Sequence, residues 1–253
     1  MYDSLSSDYD RFVNWQTRLS IELPFILEHI KAVNARSILD AATGTGMHAI
    51  ALAQLGYKSA GADLSAGMVE RARTNAASAG VQVQFEIAGF GSLANMFEPH
   101  SFDALLCLGN SLPHLLSDAE LEACLYDFIA CLRPDGILII QNRNFDAVLA
   151  GHERWMEPQS HTEGQTDWIF QRFYDFDPDG LLSFNMVTLK RTAPGDWVQK
   201  VVSSRLRPLL EDDLTSALSR AGFISLTAYG NMAGGTFDRK TSPNLVLLAR
   251  SPE

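Results

Sequence analysis

The run Ser37-Ile38-Leu39-Asp40-Ala41-Ala42-Thr43-Gly44-Thr45-Gly46, followed by Gly61-Ala62-Asp63-Leu64-Ser65, constrains this chain more than any other feature. A short apolar run, a glycine turn opening a helix and a second run ending in a carboxylate describe the start of a doubly wound α/β sheet that holds an adenosine-containing ligand. Gly44-Thr45-Gly46-Met47-His48-Ala49 also fits the loose dinucleotide pattern G-x-G-x-x-A. Asp40 points away from that ligand class. A pyrophosphate sits at a helix N-terminus because free N–H groups and the dipole favour an anion there. A carboxylate just before the glycines opposes an anion and suits a cation. The alternative is a plain structural glycine turn beside an N-capping aspartate, in which turn and strand-end acid coincide by chance.

S-adenosylmethionine is such a cation. It carries an ammonium on its amino acid and a sulfonium at its methyl group, and it has no phosphate. Asp63, 23 residues after Asp40, ends the second run, where a carboxylate accepts hydrogen bonds from both ribose hydroxyls. On these residues the chain resembles the class I S-adenosylmethionine-dependent methyltransferases, in which the D-x-A-x-G-x-G turn and the later strand-end acid have these roles. The resemblance covers roughly residues 36–141 and 211–250. It implies donor contacts from Asp40, Ala41, Gly44, Gly46, Asp63, Leu64, Met68 and Leu108. After the third strand many such enzymes carry an acid that reads the adenine, whereas this chain has Ala88-Gly89-Phe90. Phe90 is then expected to cover the ring, and backbone near Gly89 to supply the hydrogen bonds.

Composition narrows the partners. A chain of 253 residues with 46% hydrophobic content buries a full core. A formal charge of -10 argues against nucleic acid, which needs a basic footprint. Cys107, Cys124 and Cys131 cannot pair completely and lack metal-ligand spacing, which points to a reducing cytoplasm and no metal. No apolar run approaches membrane length, and the acidic N-terminus, with Asp3, Asp8 and Asp10, does not read as a signal peptide. Oligomeric state is left open.

From Arg36 to Gln141 short apolar runs and helical patterns alternate. Strands are expected near 36–41, 58–63, 82–88, 103–108 and 135–141, with helices near 46–55, 65–79 and 118–132. Arg133-Pro134-Asp135-Gly136 reads as a turn into the fifth strand. Runs at 166–176, 181–191 and 197–206 read as an antiparallel meander; a helix near 211–221 and strands at 223–229 and 244–250 complete the sheet. Gly230-Asn231-Met232-Ala233-Gly234-Gly235 reads as a mobile loop. The expected fold is α/β, a doubly wound, mostly parallel seven-stranded sheet of Rossmann-like methyltransferase type. A helical cap over 1–34 and an antiparallel insertion over 146–207 would cover a donor-binding domain made of 35–145 and 208–253.

Two further stretches bear on the acceptor. Gly109-Asn110-Ser111-Leu112-Pro113-His114-Leu115 follows the fourth strand and lacks the N-P-P-Y signature of enzymes acting on DNA bases or glutamine amides. It resembles the G-N-S-x-x-H-L stretch of glycine and glycine/sarcosine methyltransferases. Gln141-Asn142-Arg143-Asn144-Phe145-Asp146 likewise resembles their D-H-R-N-Y-D stretch. The resemblance implies that Arg143 holds a substrate carboxylate, Asn110 positions the substrate, and His114 belongs to the donor pocket. An arginine fork does bind a carboxylate bidentately and orient it. Each residue also has a structural alternative: Asn110 and Ser111 as helix caps, His114 as a packed histidine, Arg143 paired with Asp146 or another acid.

Tyr2, Tyr9, Phe12 and Trp15 form an aromatic stripe at helical spacing. It is either a buried helix face or a wall in which Tyr9 or Trp15 meets the sulfonium by cation–π attraction. Arg18 is a candidate for the donor carboxylate. The function expected is methyl transfer from S-adenosylmethionine, leaving S-adenosylhomocysteine, to a small molecule, with an amino-acid-like amine favoured. O-methylation of a small phenol or acid, and a non-catalytic donor-binding module, are the alternatives. A nicotinamide-dependent reductase is disfavoured by Asp40 and by the lack of a Tyr-x-x-x-Lys pair.

Overall fold

All four residues of β1 (Ser37–Asp40) are buried, as a central parallel strand covered on both faces requires. The computed structural model describes residues 6–252, so Tyr2 lies outside the described residues. Strands β2 (Lys58–Asp63) and β4 (Phe102–Cys107) flank β1 in parallel; β3 (Gln84–Ile87) lies beyond β2, and β5 (Leu132–Arg143) beyond β4. β11 (Asn244–Arg250) runs antiparallel to both β5 and β10 (Ile224–Tyr229), so the sheet reads β10-β11-β5-β4-β1-β2-β3. Two antiparallel steps leave β10 parallel to β5. The segment after β10 therefore emerges at the carboxyl edge of the sheet.

Alternating residues serve two layers. Ile38, Leu106 and Ile139 pack with Phe25, Ile26 and Ile30 of α2 (Trp15–Ala32). Their neighbours Leu39, Leu105 and Ile140 pack with α5 (Asp118–Cys131) and α7 (Glu211–Ala221). Helices α3 (Met47–Gln54) and α4 (Ala66–Ala79) meet over Phe85. Ser117 and Glu120 form a reciprocal capping box that starts α5, and Ser65 caps α4. At Gly46, φ is +82° and a Cβ would lie 2.7 Å from the Phe85 ring and 2.8 Å from Ala72 Cβ, so only glycine fits this close approach.

Two features differ from expectation. Strand β5 begins at Leu132, and Arg133–Gly136 forms an irregularity inside it, because Leu132 pairs with Phe102 while Ile137 already pairs with Ala104. Asp135, at φ +63°, makes that bend. The loop after β10 is tied down: the Asn231 side chain accepts from the N–H groups of Ala233 and Gly235, Met232 is buried, and Asn144 Nδ2 donates to the carbonyls of Arg239 and Ser242. Asn142 ends up enclosed on the layer opposite Gln141 and Arg143, as strand alternation dictates.

The insertion is a second antiparallel sheet in the order β6-β7-β8-β9, made of β6 (Gln159–Glu163), β7 (Thr166–Phe176), β8 (Leu182–Thr192) and β9 (Val198–Leu206). β6 carries no apolar alternation and escapes a sequence reading; it is an edge strand held by its ladder to β7. Tyr174, Leu182 and Leu206 seat this sheet on Phe145 and Val148 of α6 (Phe145–Gly151). The N-terminal helix α1 (Ser6–Phe12) bridges the two sheets, touching both α4 and β6.

Candidate active site

The first three strands of the large sheet end close together. Asp40, at the end of β1, is 2% exposed and accepts a 2.9 Å hydrogen bond from Thr43 Oγ1. Burial pushes its carboxyl above the ordinary range, although His48, Thr43 and Arg18 oppose that rise. Asp63 accepts from the N–H groups of Gly44 and Ser65, each at 2.9 Å, so it staples the end of β2 to the glycine turn. Leu64 beside it is 79% exposed, and a Cβ at Gly89 would meet Leu64 Cδ1 at 3.1 Å, so these two residues form one edge of the site. Phe90 is only partly buried and packs edge-on against Phe128.

Not every expected contact reaches the surface of this site. The Met68 side chain is 1% exposed and stands behind it, in the interior of α4's inner face. Ala41 and Leu108, 2% and 4% exposed, offer mainly backbone. Trp15 donates its indole N–H to Asp10 at 2.9 Å and lies under the Arg18 guanidinium at 5.1 Å, so its ring face is already taken.

Arg18 has become part of a buried polar cluster. Its Nε lies 3.0 Å from both oxygens of Glu22, and Glu22 shares a 2.6 Å hydrogen bond with His48 Nε2. Burial works against the Glu22 charge, yet these two partners outweigh it and hold the carboxyl below its ordinary range. The outer nitrogens of Arg18 lie over Gly109, where a Cβ would stand 3.5 Å from Nη2. Tyr9, whose ring would stand 3.8 Å from a Gly44 Cβ, hangs over the turn, and burial raises its phenol pKa. Glu22 and His48 were not legible beforehand. The i,i+4 spacing of Arg18 and Glu22 was the available signal, but it is the ordinary spacing of any helical ion pair.

Beyond Gly109 opens a cavity of about 430 Å³ in which Asn110, His114, Arg143, Arg18 and Tyr9 all take part. Asn110 sits at φ +64°, gives its N–H to the Gln141 carbonyl at 3.0 Å, and accepts the Arg143 N–H on Oδ1 at 2.9 Å. It therefore laces the ends of β4 and β5 together instead of capping a helix. Arg143 reaches Glu153, not Asp146, at 2.9 Å; Asp146 instead accepts the Glu211 N–H. Burial pushes His114 down to about 4, so its imidazole is neutral at physiological pH.

The far wall comes from β7, which sequence reasoning left without a role. Trp168, Phe170, Arg172 and Tyr174 share one face of that strand, and Arg172 and Tyr174 line the cavity. Burial, aided by the like charge of Arg143, lowers the Arg172 pKa. Burial raises the Tyr174 phenol to about 12, even against the two arginines, so it remains a neutral O–H. The Nε groups of both Arg143 and Arg172 are buried with no acceptor among the described residues. An arginine at two-residue spacing between Phe170 and Tyr174 was the one signal that could have singled it out.

A glycine turn flanked by a buried carboxylate, a strand-end acid and the β3-β2-β1-β4-β5-β11-β10 order of the seven-stranded sheet define a class I S-adenosylmethionine-dependent methyltransferase, and the chain belongs to that family. The methyltransferase domain family matches residues 38–136. Over 223 residues the chain is 31% identical to the glycine/sarcosine N-methyltransferase of Aphanothece halophytica, covering 88% of this chain and 79% of that one. Over 198 residues it is 36% identical to the glycine/sarcosine N-methyltransferase of Parasynechococcus marenigrum, covering 74% and 70%. The fold matches the solved structure of an S-adenosylmethionine-dependent methyltransferase from Clostridium acetobutylicum with a TM-score of 0.77 at 16% identity, over 100% and 99% of the two chains. The protein is thus an enzyme that uses S-adenosylmethionine. Among the described residues no helix is long and apolar enough to cross a membrane.

Proposed function

We propose that this enzyme N-methylates a small amino-acid-like amine, and that Arg143 and Arg172 bind the acceptor's carboxylate. The observation that carries this is that two arginines from different sheets, Arg143 at the end of β5 and Arg172 on β7, line the same cavity together with the neutral Tyr174 hydroxyl. Glu153 pairs with Arg143 alone, and two cations lining one cavity are costly unless a further anion joins them. A carboxylate satisfies both forks and fixes the direction of the rest of the molecule. The relatives named above act on glycine and sarcosine, which supports the same substrate class.

The donor would lie along the carboxyl edge. Asp40 would hold its ammonium, Asp63 its ribose hydroxyls, and the outer nitrogens of Arg18 its carboxylate. Gly44 and Gly109 present backbone without a Cβ beneath Tyr9 and Arg18, and the charges of Asp40, Asp63 and Arg18 complement those of the donor, so the residues fit the group. When bound, S-adenosylmethionine supplies an electrophilic methyl on a positively charged sulfur. The protein then holds the acceptor nitrogen in line and excludes water, a contribution of roughly 7–11 kcal/mol for well-oriented reactants.

His114 does not act as the base for an ammonium acceptor. A group at about 4 cannot hold a proton taken from an amine of pKa about 8–10. The acceptor would bind as the neutral amine; its lone pair would form the new N–C bond as the methyl–sulfur bond breaks with its electron pair staying on sulfur, and the methylated product would lose its proton to solvent. Asn110, fixed by β5, borders the space where that nitrogen would sit.

S-adenosylhomocysteine release measured against glycine, sarcosine, amines lacking a carboxylate and phenols tests the proposal. Turnover of the first two classes with little on the uncharged amines is the expected outcome. Turnover of phenols alone removes the amine assignment, and donor binding without turnover on any acceptor favours a binding module.

A further inference from the structure

Four donors from separate parts of the chain converge on one carboxylate of α1. One oxygen of Asp10 accepts from Thr45 Oγ1 at 2.6 Å and from the Trp15 indole at 2.9 Å. The other accepts from Arg71 Nε at 2.9 Å and Asn75 Nδ2 at 3.2 Å. Burial opposes its charge, but these bonds outweigh it and hold the carboxyl below its ordinary range. Thr45 lies between the two glycines of the donor turn, and Asn75 also donates to the Thr45 carbonyl at 3.0 Å. The carboxylate thus ties α1 to the turn and to α4 together.

The same seven-residue helix presents its other side to the acceptor cavity. Tyr9 and Phe12 line that cavity, Phe12 packs edge-on against Phe170 at 5.5 Å, and Arg11 Nε reaches Glu163 of β6 at 2.7 Å. A helix this short does not hold itself in water, so its place depends on such side contacts. Tyr9 rests over Gly44, so the place of α1 and the cover over the donor turn are set together.

We propose that Asp10 is a positioning residue that latches α1 over the Gly44–Gly46 turn, setting how long the donor and its product stay bound while holding Phe12 as a wall of the acceptor cavity. The proposal rests on the reading that this turn holds the donor. Asp10 touches neither reactant; it acts through Thr45 and Tyr9. Its Arg71 arm is 45% exposed on the arginine side, which makes the latch sensitive to salt, whereas the Thr45 arm is enclosed.

The test measures association and dissociation of S-adenosylhomocysteine by stopped-flow fluorescence in the wild type, Asp10→Asn and Arg71→Ala, with circular dichroism melts to establish folding. Asparagine keeps an acceptor for Thr45 and Trp15 but turns a donor toward Arg71 and Asn75. Dissociation about tenfold faster in Asp10→Asn, with association within about twofold, is expected, since related forms of one site differ mostly in off-rate. Wild-type dissociation should quicken between about 0.05 and 0.5 M salt, while both variants stay flat. A general loss of packing would not remove that salt dependence selectively. Unchanged dissociation in folded Asp10→Asn overturns the latch. Asp63→Ala separates the two readings: if it loses product binding while Asp10→Asn does not, only the latch fails. If it also binds normally, the placement of the donor fails and the latch with it.

Discussion

Replacing Arg172 with methionine tests the acceptor pocket because it should harm binding without harming the fold. Arg172 is mostly enclosed, lies beside the like charge of Arg143, has no acceptor for its Nε, and rests over the Phe12 ring at 4.7 Å. A charge-assisted hydrogen bond contributes about 1.5–3 kcal/mol, which is about 10–150-fold in kcat/KM when the carboxylate partner loses it. The fold loses a cation–π contact of about 0.5–1 kcal/mol and is relieved of a desolvation and repulsion cost of at least that size. The melting temperature should therefore not fall. Methionine fills most of the space along the stem, so no large cavity opens. The assay pairs steady-state kinetics on a carboxylate-bearing amine with calorimetric S-adenosylhomocysteine binding and a thermal melt. Loss of kcat/KM with unchanged product affinity and an undiminished melting temperature is expected. A lower melting temperature with unchanged kinetics would refute the reasoning, because Arg172 would then be a structural residue.

Two titrating residues give predictions with defined signs. Asp40→Asn should weaken S-adenosylhomocysteine binding about 10–150-fold in calorimetry, from loss of one charge-assisted contact. Because burial raises the Asp40 pKa in the folded state, the wild type bears a cost that appears as pH rises above the unfolded value of about 3.9; urea unfolding should find Asp40→Asn the more stable at pH 7 and the difference gone near pH 3. His114 behaves in the opposite sense. Its folded value of about 4 against about 6.5 unfolded means stability is fully present above pH 6.5 and declines as pH falls toward 4, by up to about 3 kcal/mol. His114→Gln should flatten that part of the urea pH profile, and an unchanged slope between pH 6.5 and 4 would count against a buried neutral imidazole.

How much of this was open to reading depends on where each signal sits. The strands of the large sheet could be placed because a strand buried on both faces shows as an unbroken apolar run, as in Ile137-Leu138-Ile139-Ile140. The polar edge strand β6 could not, because its pairing lies in its backbone and its side chains carry no pattern. Arg143 stood out through its place at a strand end, whereas Arg172 sits mid-strand among aromatics and gains meaning only from facing Arg143. The loop at 230–235 looked free from its glycines, but Asn231 folds back onto the N–H groups of Ala233 and Gly235 and Met232 is buried against distant residues.

The sequence by itself determined the alternation of strands and helices in the large sheet, the glycine turn with Asp40 before it, and through charge the kind of donor the turn accepts. These are local matters, settled by steric demands at a few residues and by the sign of one carboxylate. Only the tertiary structure decided that Met68 is enclosed, that Arg18 is held by Glu22 and His48, and that Arg143 and Arg172 face one cavity. Those facts arise from residues far apart in the chain being packed together, where burial sets both the cost of each charge and the partner it still lacks.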